Sequence, residues 1–122
     1  MVKAQANLIQ NLVEDGILKT PEIIEAFEKI DRADFVPENL KSFSYVDEAL
    51  PIGEGQTISQ PLTVAFMLEL LAPKKRERIM DVGYGSGWQT AILASIVGKS
   101  GKIYAIERIK ELCNFGASNI AK

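Results

Sequence analysis

Asp81-Val82-Gly83-Tyr84-Gly85-Ser86-Gly87 lies between two stretches of different period. Arg78 to Val82, just before the glycines, predicts a buried strand, and an apolar helical pattern begins near Trp88. Alternate glycines let a backbone turn sharply and approach a ligand where a Cβ would collide. The following helix start contributes unpaired N–H groups and partial positive charge. A second strand, Lys102 to Ile106, delivers Glu107, 24 residues beyond Gly83. That is close to where dinucleotide folds place the carboxylate that accepts from ribose hydroxyls. A ribose-bearing ligand is the leading expectation, and an ordinary strand-to-helix turn without a ligand is the alternative.

A pyrophosphate-binding turn, G-x-G-x-x-G/A, ends on a small residue that lets helix and strand pack closely. Counted from Gly83, that position holds Trp88, the bulkiest side chain available. Gly83-x-Gly85-x-Gly87 with an acid two residues upstream instead resembles the first motif of class I methyltransferases, which bind S-adenosylmethionine. Such a ligand has no phosphate to cradle. The resemblance places open backbone at Gly83, Tyr84, Gly85, Ser86 and Gly87 beside the methionine part, with Asp81 offsetting its ammonium charge directly or through water.

The chain has 122 residues, 47% hydrophobic and 25% charged, which suits one soluble domain or part of one. A net charge of −2 offers no global attraction for nucleic acid. The local run Lys74-Lys75-Arg76-Glu77-Arg78 reads as a solvated loop before a strand. No apolar stretch approaches the roughly 20 residues that span a bilayer, and Met1-Val2-Lys3-Ala4-Gln5 lacks a signal-peptide core, so the expected location is cytoplasmic. The chain contains no histidine and one cysteine. Ser-His and Cys-His nucleophile pairs are thereby excluded, the commonest ligand of transition metals is missing, and no metal site is expected. Cys113, in a helical stretch, reads as a small packing residue.

Leu8, Ile9, Leu12 and Val13 predict a first helix that ends at Asp15-Gly16. A second starts with Thr20 as N-cap and Pro21 in its first turn, with Ile23, Ile24, Phe27 and Ile30 on one face. Arg32 to Glu48 reads as a loop with a short element near Phe43 to Val46. Leu50 to Pro61 reads as turn-rich, running into a helix from Leu62 to Leu71 that Pro73 ends. From Arg78 the order strand, helix, strand, helix predicts an α/β fold with parallel strands and a right-handed crossover.

The segment Tyr45-x-Asp47-x-x-Leu50-Pro51-Ile52-Gly53-x-Gly55-Gln56-Thr57-Ile58-Ser59-Gln60-Pro61, then the glycine loop and Ala105-Ile106-Glu107-Arg108-Ile109, resembles the protein-L-isoaspartate O-methyltransferases. The resemblance covers about two thirds of the chain, from about Asp34 to Lys122, and is more restrictive at Gly55 to Pro61 than in the glycine loop. Tyr84 and Trp88 depart from the pattern, which has a small residue at the first position and a tyrosine or aliphatic residue at the second. The family transfers a methyl group from S-adenosylmethionine to the free carboxylate of L-isoaspartyl residues in damaged proteins, which starts repair. The resemblance implies Ser59 as the active-site residue. It implies Gln56, Thr57, Ile58, Ser59, Asp81, the glycine loop, Glu107 and Arg108 as the cofactor site, and isoaspartyl proteins or peptides as partners. It divides the chain into residues 1–60, a helical region with the substrate and cofactor loop, and residues 61–122, the start of a Rossmann-like domain.

A substrate carboxylate is already ionised at neutral pH, so a histidine-free site suffices for such chemistry. Other readings stay open at several residues. Ser59 also suits a helix cap near Pro61, Glu107 also complements a helix dipole, and Trp88 reads as packing behind the loop. Two strands are few for an open doubly wound sheet. The expectation is therefore a sheet truncated after its second strand-helix unit, with the free edge of strand Arg78 to Val82 inviting self-association. Alternative functions are a non-catalytic remnant that serves at most as a binding module, an RNA methyltransferase gripping phosphates with Lys74 to Arg78, and a dinucleotide oxidoreductase, against which Trp88 argues.

Overall fold

Gly16 and Pro21 divide the N-terminal region into helices α1 (Lys3–Glu14) and α2 (Pro21–Lys29) in the computed structural model, which describes residues 1–122. Ile9 and Leu12 of α1 and Ile23, Ala26 and Phe27 of α2 are buried, whereas Val13 faces solvent. Gln5 is buried as well, and its amide donates to the Phe27 carbonyl at 3.1 Å, with longer bonds to Glu28 and Ile30. It thus serves carbonyls that the end of α2 leaves without helical partners. Thr20 occupies the N-cap position of α2, yet its side chain makes no cap bond. Its hydroxyl donates instead to Glu69 at 2.6 Å, and the Lys19 and Thr20 N–H groups donate to the same carboxylate. An ionised acceptor outcompetes the local cap.

Between residues 32 and 48 the chain forms two 3₁₀ turns, Arg32–Phe35 and Glu38–Phe43, in place of the expected loop with an element at Phe43 to Val46. Asp31 opens the first by accepting from the Ala33 N–H at 3.0 Å, and it also accepts from the Tyr45 hydroxyl at 2.6 Å. The turn-rich segment that follows is a β-hairpin. Strands β1 (Leu50–Gly53) and β2 (Gln56–Ile58) pair antiparallel, Leu50 opposite Ile58, with an irregular register between Pro51 and Gly53. Both central residues of the two-residue loop, Glu54 and Gly55, have positive φ, the mark of a type I′ turn. Leu50, Ile52 and Ile58 are buried beneath it.

Helix α3 (Pro61–Leu71) ends on Ala72 in the left-handed region, followed by Pro73. Strand β3 (Arg78–Val82), helix α4 (Trp88–Val97), strand β4 (Lys102–Ile106) and helix α5 (Lys110–Ile120) then follow in the predicted order. β3 and β4 are parallel, with Arg78 beside Lys102 and Val82 beside Ile106. Helix α4 is apolar almost all round, and Ala91, Ile92, Leu93, Ile96 and Val97 are all buried. One core cluster of 20 residues runs from Ile9 to Leu112, so the N-terminal helices and the strand-helix units share a single interior.

Strand β3 is not buried as its sequence predicts. Asp81 faces the interior, but Met80 and Val82 are 63% and 72% exposed. The strand alternates: one face packs toward α4, while Met80 and Val82, with their register partners Tyr104 and Ile106, form an open apolar face. β3 has β4 as its one ladder partner. Residues 74–78 are exposed, in keeping with a solvated loop, and Arg78 donates to the Tyr104 hydroxyl at 2.7 Å. No helix is long and apolar enough to cross a membrane.

Candidate functional site

Parallel register sets the geometry of the site. Because Val82 and Ile106 are paired, the two strands end side by side, and the Gly83 N–H donates to the Ile106 carbonyl at 2.6 Å. The glycine loop therefore starts beside Glu107, at the carboxyl ends of the strands where open α/β sheets bind ligands. Glu107 Oε1 accepts from the Gly85 N–H at 2.9 Å, and Oε2 accepts from the Ile109 N–H at 3.0 Å. The Ile109 bond, helped by Gly85 and opposed by partial burial, holds this carboxyl below its ordinary pKa. Glu107 thus anchors the loop and steadies the start of α5, and each oxygen keeps acceptor capacity for another donor.

Asp81 is buried and accepts from the Thr90 hydroxyl at 2.5 Å and from Gln89 at 3.5 Å, both on α4. Neither α4 residue is apparent in the sequence motif. Ser86 is buried, and its carbonyl accepts from Asn119 of α5 at 3.0 Å. Tyr84 folds toward α5 as well, its hydroxyl donating to the Cys113 carbonyl at 2.8 Å and lying 3.1 Å from the Cys113 sulfur. Burial and the contact with Cys113 push the phenol pKa up to about 12. Cys113 is half-buried and is the acceptor of this link, so it does more than fill space.

Ser59 follows β2 and is exposed. It does not cap α3. The Leu62 N–H donates to Asp47 Oδ1 at 2.8 Å, and Gln60 bonds the Asp47 carbonyl at 3.1 Å. A carboxylate from the preceding loop has taken the capping position, which leaves the Ser59 hydroxyl free of that duty.

Two adjoining cavities gather these residues. One, of about 230 Å³, is lined by Thr57, Ile58, Ser59, Asp81, Gly83, Tyr84, Gly85 and Ser86, with Val64, Met67, Val82, Trp88 and Gln89. The other, of about 250 Å³, is lined by Gln56, Thr57, Gly83, Gly85, Glu107 and Arg108, with Val82, Ile106, Ile109 and Leu112. Thr57, Val82, Gly83 and Gly85 face both. Gly87 faces neither. Its φ of 92° demands glycine, and a Cβ there would lie 2.7 Å from the Ile120 side chain, so its role is packing against α5. A cationic nucleoside fits this donor set: a buried acid borders the first cavity, and a carboxylate with spare lone pairs borders the second. No cluster of three His, Cys, Asp or Glu side chains stands ready to hold a metal.

Arg32 is the residue that sequence reasoning missed. It is 2% exposed and donates to four carbonyls: Nη1 to Ser44 and Val46, Nη2 to Glu48 and Ser59, at 2.9–3.0 Å. Desolvation lowers its pKa to about 10, opposed by the charge of Asp47. The guanidinium lies 5.2 Å from the Trp88 ring centroid, and Phe27 meets the same indole edge-on at 5.7 Å. Trp88 is thus core, as its sequence position suggested, and cavity wall at once. Arginine ordinarily reads as surface, and nothing in the local pattern marks this one as buried.

The family described as Protein-L-isoaspartate(D-aspartate) O-methyltransferase matches residues 3–122. A Methanopyrus kandleri protein-L-isoaspartate O-methyltransferase is 42% identical over 120 residues, covering 98% of this chain and 53% of that protein. An Aeropyrum pernix relative of the same name is 41% identical, covering 98% and 46%. A Plasmodium falciparum structure, described as a protein-L-isoaspartate O-methyltransferase in complex with S-adenosyl-L-homocysteine, superposes with a TM-score of 0.84 at 32% identity, over 93% of this chain and 53% of that one. The α/β fold is that of the N-terminal part of such a methyltransferase, and the chain spans about half the length of these relatives.

Proposed function

The chain belongs to the protein-L-isoaspartate O-methyltransferase family, and on that premise we propose that it carries the S-adenosylmethionine-binding and methyl-transfer site of a protein carboxyl methyltransferase. Its substrates would be L-isoaspartyl residues of damaged proteins or peptides. The observation that carries this reading is that Thr57, Val82, Gly83 and Gly85 face both cavities, with Ser59 lining the first and Glu107 the second.

In this reading Glu107 accepts from the ribose hydroxyls, with Gln56, Thr57 and Arg108 around the same cavity. Asp81, held by Thr90, faces the ammonium end beside Gly83 to Ser86. When bound, S-adenosylmethionine supplies a sulfonium methyl: the substrate carboxylate oxygen gains the O–C bond as the C–S bond breaks, giving a methyl ester and S-adenosylhomocysteine without proton transfer. The Ser59 hydroxyl orients that carboxylate by a single hydrogen bond, which leaves its oxygens nucleophilic. Alignment of this kind contributes about 7–11 kcal/mol in favourable cases. Residues 1–60 would supply the substrate side and residues 61–122 the nucleoside side. A cytoplasmic location, and no nucleic-acid partner given the net charge of −2, complete the proposal.

Calorimetry with S-adenosylhomocysteine and with NAD, followed by methyl transfer to an isoaspartyl peptide, tests it. The first ligand should bind and the second should not. Glu107→Gln should weaken binding about tenfold or more, the scale of a charge-assisted hydrogen bond. Ser59→Ala should lower turnover more than affinity. Absence of nucleoside binding would sink the reading. Binding without transfer would favour the second reading, a non-catalytic binding module.

A further inference from the structure

Arg32 joins three parts of the molecule that the sequence keeps apart. Four of its five N–H donors meet carbonyls, three in the segment Ser44 to Glu48 and one at Ser59. The same guanidinium lies over the ring of Trp88, the first residue of α4 after the glycine loop. Ser59 and Trp88 both line the first cavity. The segment that Arg32 holds also contains Asp47, whose carboxylate caps α3 beyond Ser59. The Ser59 carbonyl is therefore held by Nη2, and the helix that starts just after it is capped from the segment whose Val46 and Glu48 carbonyls Arg32 also binds. A planar fork can meet four carbonyls at once, whereas an ammonium has three donors about one point.

We propose that Arg32 is a positioning residue for methyl transfer: by binding the Ser59 carbonyl while lying over Trp88, it sets the direction of the Ser59 hydroxyl in the cavity. The inference rests on the role given to Ser59 above. Arg32 lines neither cavity, and none of its bonds reaches Glu107 or the glycine loop. Its loss is felt at the methyl-accepting end and spares the ribose end.

Arg32→Lys in the whole chain tests this. Affinity for S-adenosylhomocysteine should stay within about threefold of the parent, while the turnover number on an isoaspartyl peptide falls about 10- to 100-fold, the cost of a misplaced reacting group. In the double variant with Ser59→Ala the losses should fall short of adding, since both act through one hydroxyl. Equal turnover, additive losses, or affinity and turnover falling together with thermal stability would each overturn the proposal. If the parent chain transfers no methyl group, the functional reading fails, and amide hydrogen exchange decides the positioning claim. Faster exchange at Gln56 to Gln60 in Arg32→Lys, with Arg78 to Val82 unchanged, supports it, and no difference overturns it. Should Arg32→Lys not fold, Arg32→Gln takes its place, and loss of the fold in both assigns Arg32 to folding and overturns the proposal.

Discussion

Tyr84 is a bulky residue in a loop of small ones, and Gly116 on α5 makes room for it. A Cβ at Gly116 would collide with the Tyr84 ring and lie 2.5 Å from the Gly85 carbonyl, a backbone atom that cannot swing aside. Gly116→Ala should therefore destabilise by about 1–3 kcal/mol, the usual penalty for overpacking, although alanine is the better helix former. The same change should weaken S-adenosylhomocysteine binding, because the displaced atoms belong to the loop; thermal unfolding and calorimetry on one sample check both. A variant as stable and as tight-binding as the parent would show that the loop yields freely. Much of the site is legible at this scale. Asp81, the glycines and Glu107 stand out by type and spacing, and the structure brings eleven of the twelve proposed residues, all but Gly87, to the two cavities. What supports them is not legible. Thr90 under Asp81, Asn119 under Ser86 and Arg32 behind Ser59 act across 9, 33 and 27 residues of chain, with side chains that carry no local signature.

Elements bounded by glycine and proline were readable, and those built from tight turns were not. β3 and β4 have the predicted limits because a charged loop, a glycine loop and Gly98 to Gly101 frame them. The 3₁₀ turns from Arg32 to Phe43 leave too short a period to register, and the irregularity between Pro51 and Gly53 hides the alternation of the hairpin. Glu69 shows how elements are fastened. It sits on α3 and gathers the donors of Lys19 and Thr20 at the start of α2. Partial burial pushes its pKa up, but the Thr20 and Lys19 bonds outweigh this, and the net shift is below the ordinary 4.5. A lowered carboxyl stabilises the fold above its unfolded pKa and loses that contribution as pH falls through the folded value. The parent should lose stability progressively below about pH 4.5. Glu69→Gln should be less stable at neutral pH and show a shallower acid limb, while Glu107, also lowered, keeps part of the slope. Denaturant melts at several pH values measure this, and parallel acid limbs would refute the assignment.

At the scale of the whole molecule, one interior is shared by the N-terminal helices and the strand-helix units, yet one face of the sheet is open. Met80, Val82, Tyr104 and Ile106 lie together on it by register, and on α3 Phe66, Met67, Leu70 and Leu71 are exposed as well. Contiguous apolar surface of this kind, beside an edge strand with one ladder partner, promotes association. Sedimentation velocity should find the chain self-associating as its concentration rises, and Met80→Lys, which lines neither cavity, should shift it toward monomer. Concentration-independent sedimentation of the parent would remove that expectation. The hydrophobic run of β3 suggested burial from both sides, and sequence alone does not disclose that only one side is covered.

Trp88, the sole indole of the chain, is packed between Phe27 and Arg32 and forms part of the wall near Ser59. Its emission consequently arises from a single address in the molecule. An unlabelled sample therefore carries its own optical probe, set at the seam where the hairpin, the buried guanidinium and the start of α4 come together.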